Sequence, residues 1–155
     1  MILHLICDVS GSMSEGGKSL ITRGVARAVE QYVRLGYGRA DLRLVAWSNE
    51  ARVVEWRLGD EFPPELLVCE RIAKADALIN LIGNQTVCKI LLITDGFWSQ
   101  DDAKALKRLK ESIQQDMLRV IKIGADANPH LKGPDVFAAE DLFIALDGWL
   151  EGGAA

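Results

Sequence analysis

Ile2-Leu3-His4-Leu5-Ile6-Cys7-Asp8-Val9-Ser10-Gly11-Ser12 decides how the rest of the chain is read. Ile2, Leu3, Leu5, Ile6 and Cys7 form a nearly unbroken apolar run, the pattern of a strand covered on both faces in a parallel sheet. The run stops at an acid, and short hydroxylated residues follow. An Asp with Ser at i+2 and i+4 gathers three hard oxygen donors in one turn of chain. Such a set suits Mg²⁺, Mn²⁺ or Ca²⁺ rather than zinc. Gly11 is expected to let the loop bend between the two serines. In open α/β sheets, sites lie beyond the carboxyl ends of strands, where this loop falls.

Outward from this stretch, Leu20 to Leu35 carries apolar residues at 21, 25, 28, 29, 32 and 33, with Arg23, Arg27, Glu30 and Arg34 between them. That spacing predicts an amphipathic helix, closed by Gly36-Tyr37-Gly38. Asp41 to Trp47 and Ala51 to Trp56 read as an antiparallel hairpin across Ser48-Asn49-Glu50, with the charged second strand at the sheet edge. Gly59 to Pro64 reads as a loop in which Pro63-Pro64 argues against helix, and Leu66 to Ile72 as extended chain and a turn. A short helix is predicted over Asp76 to Ile82, ended by Gly83-Asn84, and a core strand over Cys88 to Thr94. Ser99 is the expected N-cap of a helix whose stripe is Leu106, Leu109 and Ile113. A strand over Met117 to Ile123, a loop from Gly124 to Pro134, a short strand near Val136 and a helix over Ala139 to Leu150 follow. Strands alternating with helices predict an α/β fold with a mostly parallel sheet and helices on both faces.

Length and composition agree with a single domain. The 155 residues are 49% apolar and 26% charged, as in an ordinary soluble globular protein. A net charge of −4 argues against nucleic acid or an anionic membrane as the main partner. No apolar run approaches the ~20 residues of a spanning helix. Met1 leads straight into the first strand, without a basic segment or cleavage site, which points away from secretion. Cys7 and Cys88 fall at opposite ends of adjacent predicted strands, too far apart to bridge. With Cys69 they read as buried thiols in a reducing cytoplasm.

Asp8-x-Ser10-x-Ser12 after a first buried strand resembles the signature of von Willebrand factor A domains and their metal-ion-dependent adhesion site. Lys89-Ile90-Leu91-Leu92-Ile93-Thr94-Asp95-Gly96 resembles the later strand of that family, which ends in Thr-Asp-Gly. The resemblance implies a three-layer doubly wound domain over residues 1–151, with 152–155 as a tail. Its six strands would take the order 3-2-1-4-5-6 with one antiparallel edge strand, so that Asp8 and Asp95 meet at neighbouring strand ends. Ser10 and Ser12 would bind the metal directly, and Asp8 and Asp95 through water or by direct contact. The family's third ligand is a Thr before a helix. Here the corresponding stretch is Ala73-Lys74-Ala75-Asp76-Ala77-Leu78, in which Asp76 aligns with the missing Thr. Asp76 is then either a third carboxylate ligand or a helix cap. Thr86 precedes a strand and belongs to the opposite end of the sheet.

The function implied is a non-catalytic, bacterial-type cytoplasmic module for protein interaction. It would bind a divalent cation, Mg²⁺ first and Mn²⁺ or Ca²⁺ as alternatives, whose coordination an Asp or Glu of a partner protein completes. An AAA+ ATPase of the MoxR class or a multi-protein stress or conflict system is the partner implied by resemblance. Phe97 and Trp98, directly after Asp95-Gly96, are candidate partner contacts, or one of them packs under the next helix. Glu15 is a loop acid on the same side, as is Asp126, and either is an outer group of the site or a solvated acid. Trp47 and Trp56 read as packing residues, His4 as a hydrogen-bonded core histidine, and Lys104, Lys107, Arg108 and Lys110 as a solvated helix face.

A rival reading is a P-loop nucleotide hydrolase using Gly17-Lys18-Ser19 and Asp95. Gly16-Gly17-Lys18-Ser19 stands between a strand and a helix, but Ser12 occupies the position of the first glycine and Gly11 comes one residue early. A metal-dependent phosphatase or nuclease is a third, for which no second metal cluster or base is visible. No Gly-x-Ser-x-Gly elbow or Cys/His pair offers a catalytic set.

Overall fold

Leu3 to Asp8 are buried in an unbroken row within β1 (Ile2–Asp8), a middle strand of the sheet in the computed structural model, which describes residues 1–83 and 88–150. β2 (Asp41–Trp47) pairs with β1 in parallel on one side, and β4 (Cys88–Thr94) does so on the other. Ser48-Asn49-Glu50 closes tightly, with the Ser48 N–H donating to the Glu50 carbonyl at 2.9 Å. The next strand, β3 (Ala51–Val54), therefore returns antiparallel along the outer edge of β2. β5 (Leu118–Lys122) and β6 (Val136–Ala138) extend the sheet in parallel beyond β4. Among the described residues the sheet has six strands in the order 3-2-1-4-5-6, with a single antiparallel pair, as the resemblance implies.

Alternation along β1 divides the core between two faces. Leu3, Leu5 and Cys7 pack with Leu91, Ile93 and Ile121 towards α1 (Lys18–Arg34) and α4 (Leu142–Leu146). Ile6 packs with Val45, Trp47, Ile90, Leu92 and Val120 towards α2 (Ala75–Ile82) and α3 (Gln100–Ser112). Three layers result. Each fully buried large aliphatic side chain contributes about 1.5–3 kcal/mol, so the strand ends are carried on the stiffest part of the molecule.

Several expected boundaries move. α1 starts at Lys18, two residues before the expected Leu20, while β3 stops at Val54 rather than Trp56 and β5 spans Leu118–Lys122. Pro64–Leu67 forms a 3₁₀ turn in place of the predicted loop and extended chain. A proline at the first position of a helical turn forfeits only an N–H that has no partner there, and the turn buries Leu66. The last helix is shorter than expected. A 3₁₀ turn over Ala139–Asp141 leads into α4, which ends before Gly148 at φ 76°. That left-handed residue turns Trp149 and Leu150 back into the core. Asn84, Thr86 and the tail 152–155 lie outside the described residues.

Cys7, Cys69 and Cys88 are free; Cys7 and Cys88 are buried and Cys69 is half-buried. Burial pushes all three thiols up, Cys69 to about 11. His4 is buried as expected, but its Nδ1 has no hydrogen-bond partner, which corrects the reading of a satisfied core histidine. No helix among the described residues is long and apolar enough to cross a membrane.

Candidate functional site

The register that pairs Cys7 with Ile93 sets the carboxyl ends of β1 and β4 side by side. Across them, Thr94 Oγ1 donates to Asp8 Oδ2 at 2.6 Å. Thr94 Oγ1 in turn accepts the Gly96 N–H at 3.0 Å. Asp8 Oδ1 accepts the N–H of Ser10 at 2.9 Å and its hydroxyl at 2.6 Å. The carboxylate therefore holds Ser10 at both backbone and side chain. Ser10 Oγ lies 3.5 Å from Ser12 Oγ, so the two hydroxyls form an adjacent pair. Burial pushes the Asp8 carboxyl above its ordinary range, and the Asp95 charge adds to this against the hydrogen bonds from Ser10 and Thr94.

The loop from Gly11 takes a 3₁₀ turn over Gly11–Ser14, and Gly11 itself has no positive φ. The expected bend comes later, at Gly16 (φ 60°) and Gly17 (φ 72°), where the left-handed backbone turns the chain into α1. Val9 and Gly11 are braced from below: the Glu70 N–H donates to the Val9 carbonyl, and the Gly11 N–H to the Arg71 carbonyl.

Lys18 brings an unexpected charge. It is the first residue of α1, its side chain is 1% exposed, and its ammonium lies 3.1 Å from Asp95 Oδ2 and 3.2 Å from Asp126 Oδ1. The Ser12 carbonyl accepts a further, longer bond at 3.4 Å. Burial acts against the charge, but Asp95 and Asp126 outweigh it and hold the ammonium's pKa above its ordinary value. Asp95 Oδ1 is meanwhile taken by the Phe97 N–H at 3.1 Å. Asp126, expected as an outer group or a solvated acid, is mostly exposed and paired with Lys18.

Of the sequence-predicted metal residues, Asp8, Ser10, Ser12 and Asp95 come to one edge of the sheet. Asp76 is exposed in the first turn of α2 and lines the groove shared with α3 and Met117. Among the described residues no group of three or more His, Cys, Asp or Glu converges at metal-holding distance, whether with Asp76 or with Asp126 as the third acid. The donors that do gather are all oxygen and carry more carboxylate than ammonium charge, which fits a hard divalent ion. The aromatic pair divides. Phe97 is 45% exposed, with its ring centroid 5.4 Å from the Lys18 ammonium. Trp98 packs instead against Trp47, ring centroids 6.0 Å apart, and its buried Nε1 has no partner. Glu15 is exposed at the end of the 3₁₀ turn. Trp47 and Trp56 pack as expected, Trp47 donating to the Lys74 carbonyl and Trp56 to the Asp60 carbonyl.

Lys18 entered the sequence reading only through the P-loop rival, and Thr94 only as part of a motif. A signal for Lys18 existed. Stepping back seven residues from Val29 and from Val25 reaches Thr22 and Lys18, so the lysine falls on the buried stripe of α1. A lysine there requires carboxylate partners.

No family model matches the chain, and no curated protein matches it. Solved structures do. A von Willebrand factor type A protein from Catenulispora acidiphila superposes with a TM-score of 0.50 at 20% identity, over 96% of this chain and 36% of that one. The conserved hypothetical protein BatB from Bacteroides thetaiotaomicron gives 0.51 at 17% identity, over 79% of this chain and 65% of that one. Proximal thread matrix protein 1 of the mussel byssus gives 0.51 at 14%, over 96% and 44%. The chain thus spans less than two thirds of each of these proteins. Identities this low speak for architecture alone, and the architecture of this chain is that of the von Willebrand factor A fold.

Proposed function

We propose that this domain is a non-catalytic protein-interaction module that recognises an acidic side chain of a partner through a divalent cation, Mg²⁺ first, held by Ser10, Ser12, Asp8 and Asp95. The observation that carries the reading is the bond from Thr94 to Asp8, which ties two distant motifs into one oxygen-lined edge. Asp8 fixes Ser10 through two hydrogen bonds, and the neighbouring Ser12 hydroxyl completes a pair of neutral donors. The ion, when bound, supplies a positive charge with a coordination position open to a carboxylate. Exposed Phe97 offers an apolar contact beside it, suited to the apolar core of such an interface. A cytoplasmic setting and a partner such as an AAA+ ATPase of the MoxR class belong to the same reading. Nucleotide hydrolysis is less well supported, because Lys18, which it needs at the phosphates, is engaged by Asp95 and Asp126.

Thermal melts with EDTA, Mg²⁺, Mn²⁺, Ca²⁺ and ATP-Mg²⁺ test this. A native-state ligand at 100 times its Kd adds about 2.7 kcal/mol, and a midpoint shift of several degrees is expected with the metal alone. The shift should vanish in Ser10→Ala/Ser12→Ala and persist in Asp76→Thr. A shift that requires ATP would favour the nucleotide reading, and none in any condition would sink the metal.

A further inference from the structure

We propose that Lys18 is the site's own tethered cation, and that a divalent ion binds there only by expelling its ammonium from between Asp95 and Asp126. The proposal rests on the metal reading above and adds a competitor to it. Three observations support it. First, the ammonium is nearly fully buried at a helix N-terminus, where the positive end of the dipole disfavours a cation, and α1 has no acid in its first turn to offset it. The compensation comes instead from Asp95 and Asp126, on two other segments of chain. Second, both oxygens of Asp95 are engaged, Oδ2 by Lys18 and Oδ1 by the Phe97 N–H. A metal that draws on Asp95 Oδ2 therefore meets the lysine's positive charge on the same oxygen. Third, the surroundings are shaped to the lysine. Gly124, at φ 98°, leaves room for it, since a Cβ there would stand 2.8 Å from Lys18 Cε. The Phe97 ring lies over the ammonium.

Two cations close to one buried carboxylate repel strongly, so loading is an exchange rather than an addition. In the apo domain Lys18 offsets the charge of Asp95. Asp8, Ser10, Ser12 and Asp95 would hold a divalent ion that takes over this charge, and the Lys18 ammonium would leave Asp95 for solvent. The natural chain then binds metal more weakly than its oxygen donors alone would allow.

Calorimetric titration with Mn²⁺ of the wild type, Lys18→Met, and Lys18→Met combined with Ser10→Ala/Ser12→Ala tests the proposal. Lys18→Met should bind at least tenfold more tightly than wild type, and the triple variant should not bind. Equal or weaker binding by Lys18→Met overturns the proposal and leaves the metal reading standing. Binding by Lys18→Met alone supports the proposal while removing metal dependence from the natural chain. Binding by neither overturns both. Because Lys18→Met leaves Asp95 buried without its partner, the wild type supplies an independent measurement. Acetylation of Lys18, followed by mass spectrometry, should speed up at least fivefold when Mn²⁺ saturates the site. An unchanged rate with Mn²⁺ demonstrably bound would overturn the exchange.

Discussion

His4 sits in the middle of β1 at 1% exposure, and its Nδ1 has no partner. Burial, aided by the charge of Arg43, lowers its pKa from the ordinary 6.5, so the neutral ring is the form that folds. For such a group the stability contribution is present above the unfolded pKa and is lost as pH falls through the folded one. Asp8 works in the opposite direction. Its raised pKa gives a contribution that is full below the unfolded value and lost as pH rises through the folded one. A His4 variant separates the two. Below pH 6.5 the wild type should lose up to about 1.4 kcal/mol of stability per pH unit relative to His4→Leu, as measured by urea unfolding from pH 7 to 5. Parallel pH profiles would show that His4 does not titrate on unfolding.

At the scale of elements, one side chain joins two helices. Ser99 Oγ accepts the Asp102 N–H at 3.0 Å as the N-cap of α3, as its sequence position predicts. Asp102 returns the contact by accepting from Ser99 Oγ and reaches across to accept the Ala75 N–H at 2.9 Å. The first turn of α2, whose own N-cap residue Lys74 supplies no side-chain bond, is thus capped from α3. Burial pushes the Asp102 carboxyl up, but the bonds from Ser99 and Ala75 and the Lys74 charge outweigh it and hold the pKa low. Its contribution is therefore present above its unfolded pKa and fades as pH falls through the folded one. Asp102→Ala should cost about 2 kcal/mol in urea unfolding at neutral pH, with the loss shrinking in acid. A cost below about 0.5 kcal/mol would mean that the helices are positioned by apolar packing alone.

For the whole molecule, the sheet order decides where stability concentrates. β1 and β4 have neighbours on both sides, whereas β3 and β6 are edge strands of four and three residues. Hydrogen exchange read by mass spectrometry should find Leu3 to Cys7 and Ile90 to Ile93 protected to the level of global unfolding, with β3 and β6 exchanging at least tenfold faster. Uniform protection would contradict a central support for the site. Asp8 ends β1 and Asp95 directly follows β4, while Asp126 lies on the loop after β5. That loop is nonetheless fastened to the strand end, since the Asn128 N–H donates to the Asp95 carbonyl at 2.9 Å and the Asn128 side chain donates to the Gly96 carbonyl at 3.0 Å.

The layered α/β architecture was legible from local pattern. Continuous apolar runs in β1 and β4, helical spacing in α1 and a tight polar turn before β3 are properties of neighbouring residues, and each strand boundary there fell within two residues. The spacing of Asp8, Ser10 and Ser12 was legible too, because hydroxyls following an acid at the end of a buried strand are a local signal, whereas Asp95 was reached only through the family resemblance. What only the tertiary structure decided depends on contacts across long stretches of chain. Asp76 stands at a helix start that sequence alone left as ligand or cap, and the fold leaves it exposed in the first turn of α2, lining a groove shared with α3. Trp149 and Leu150 continue an apolar pattern that reads as helix, yet burial against the core ends α4 early. Lys18 falls on the buried stripe of α1, but its partners Asp95, 77 positions away, and Asp126, 108 away, are brought to it only by folding. A buried charge is set by partners distant in sequence, and its meaning exists only once the chain has closed.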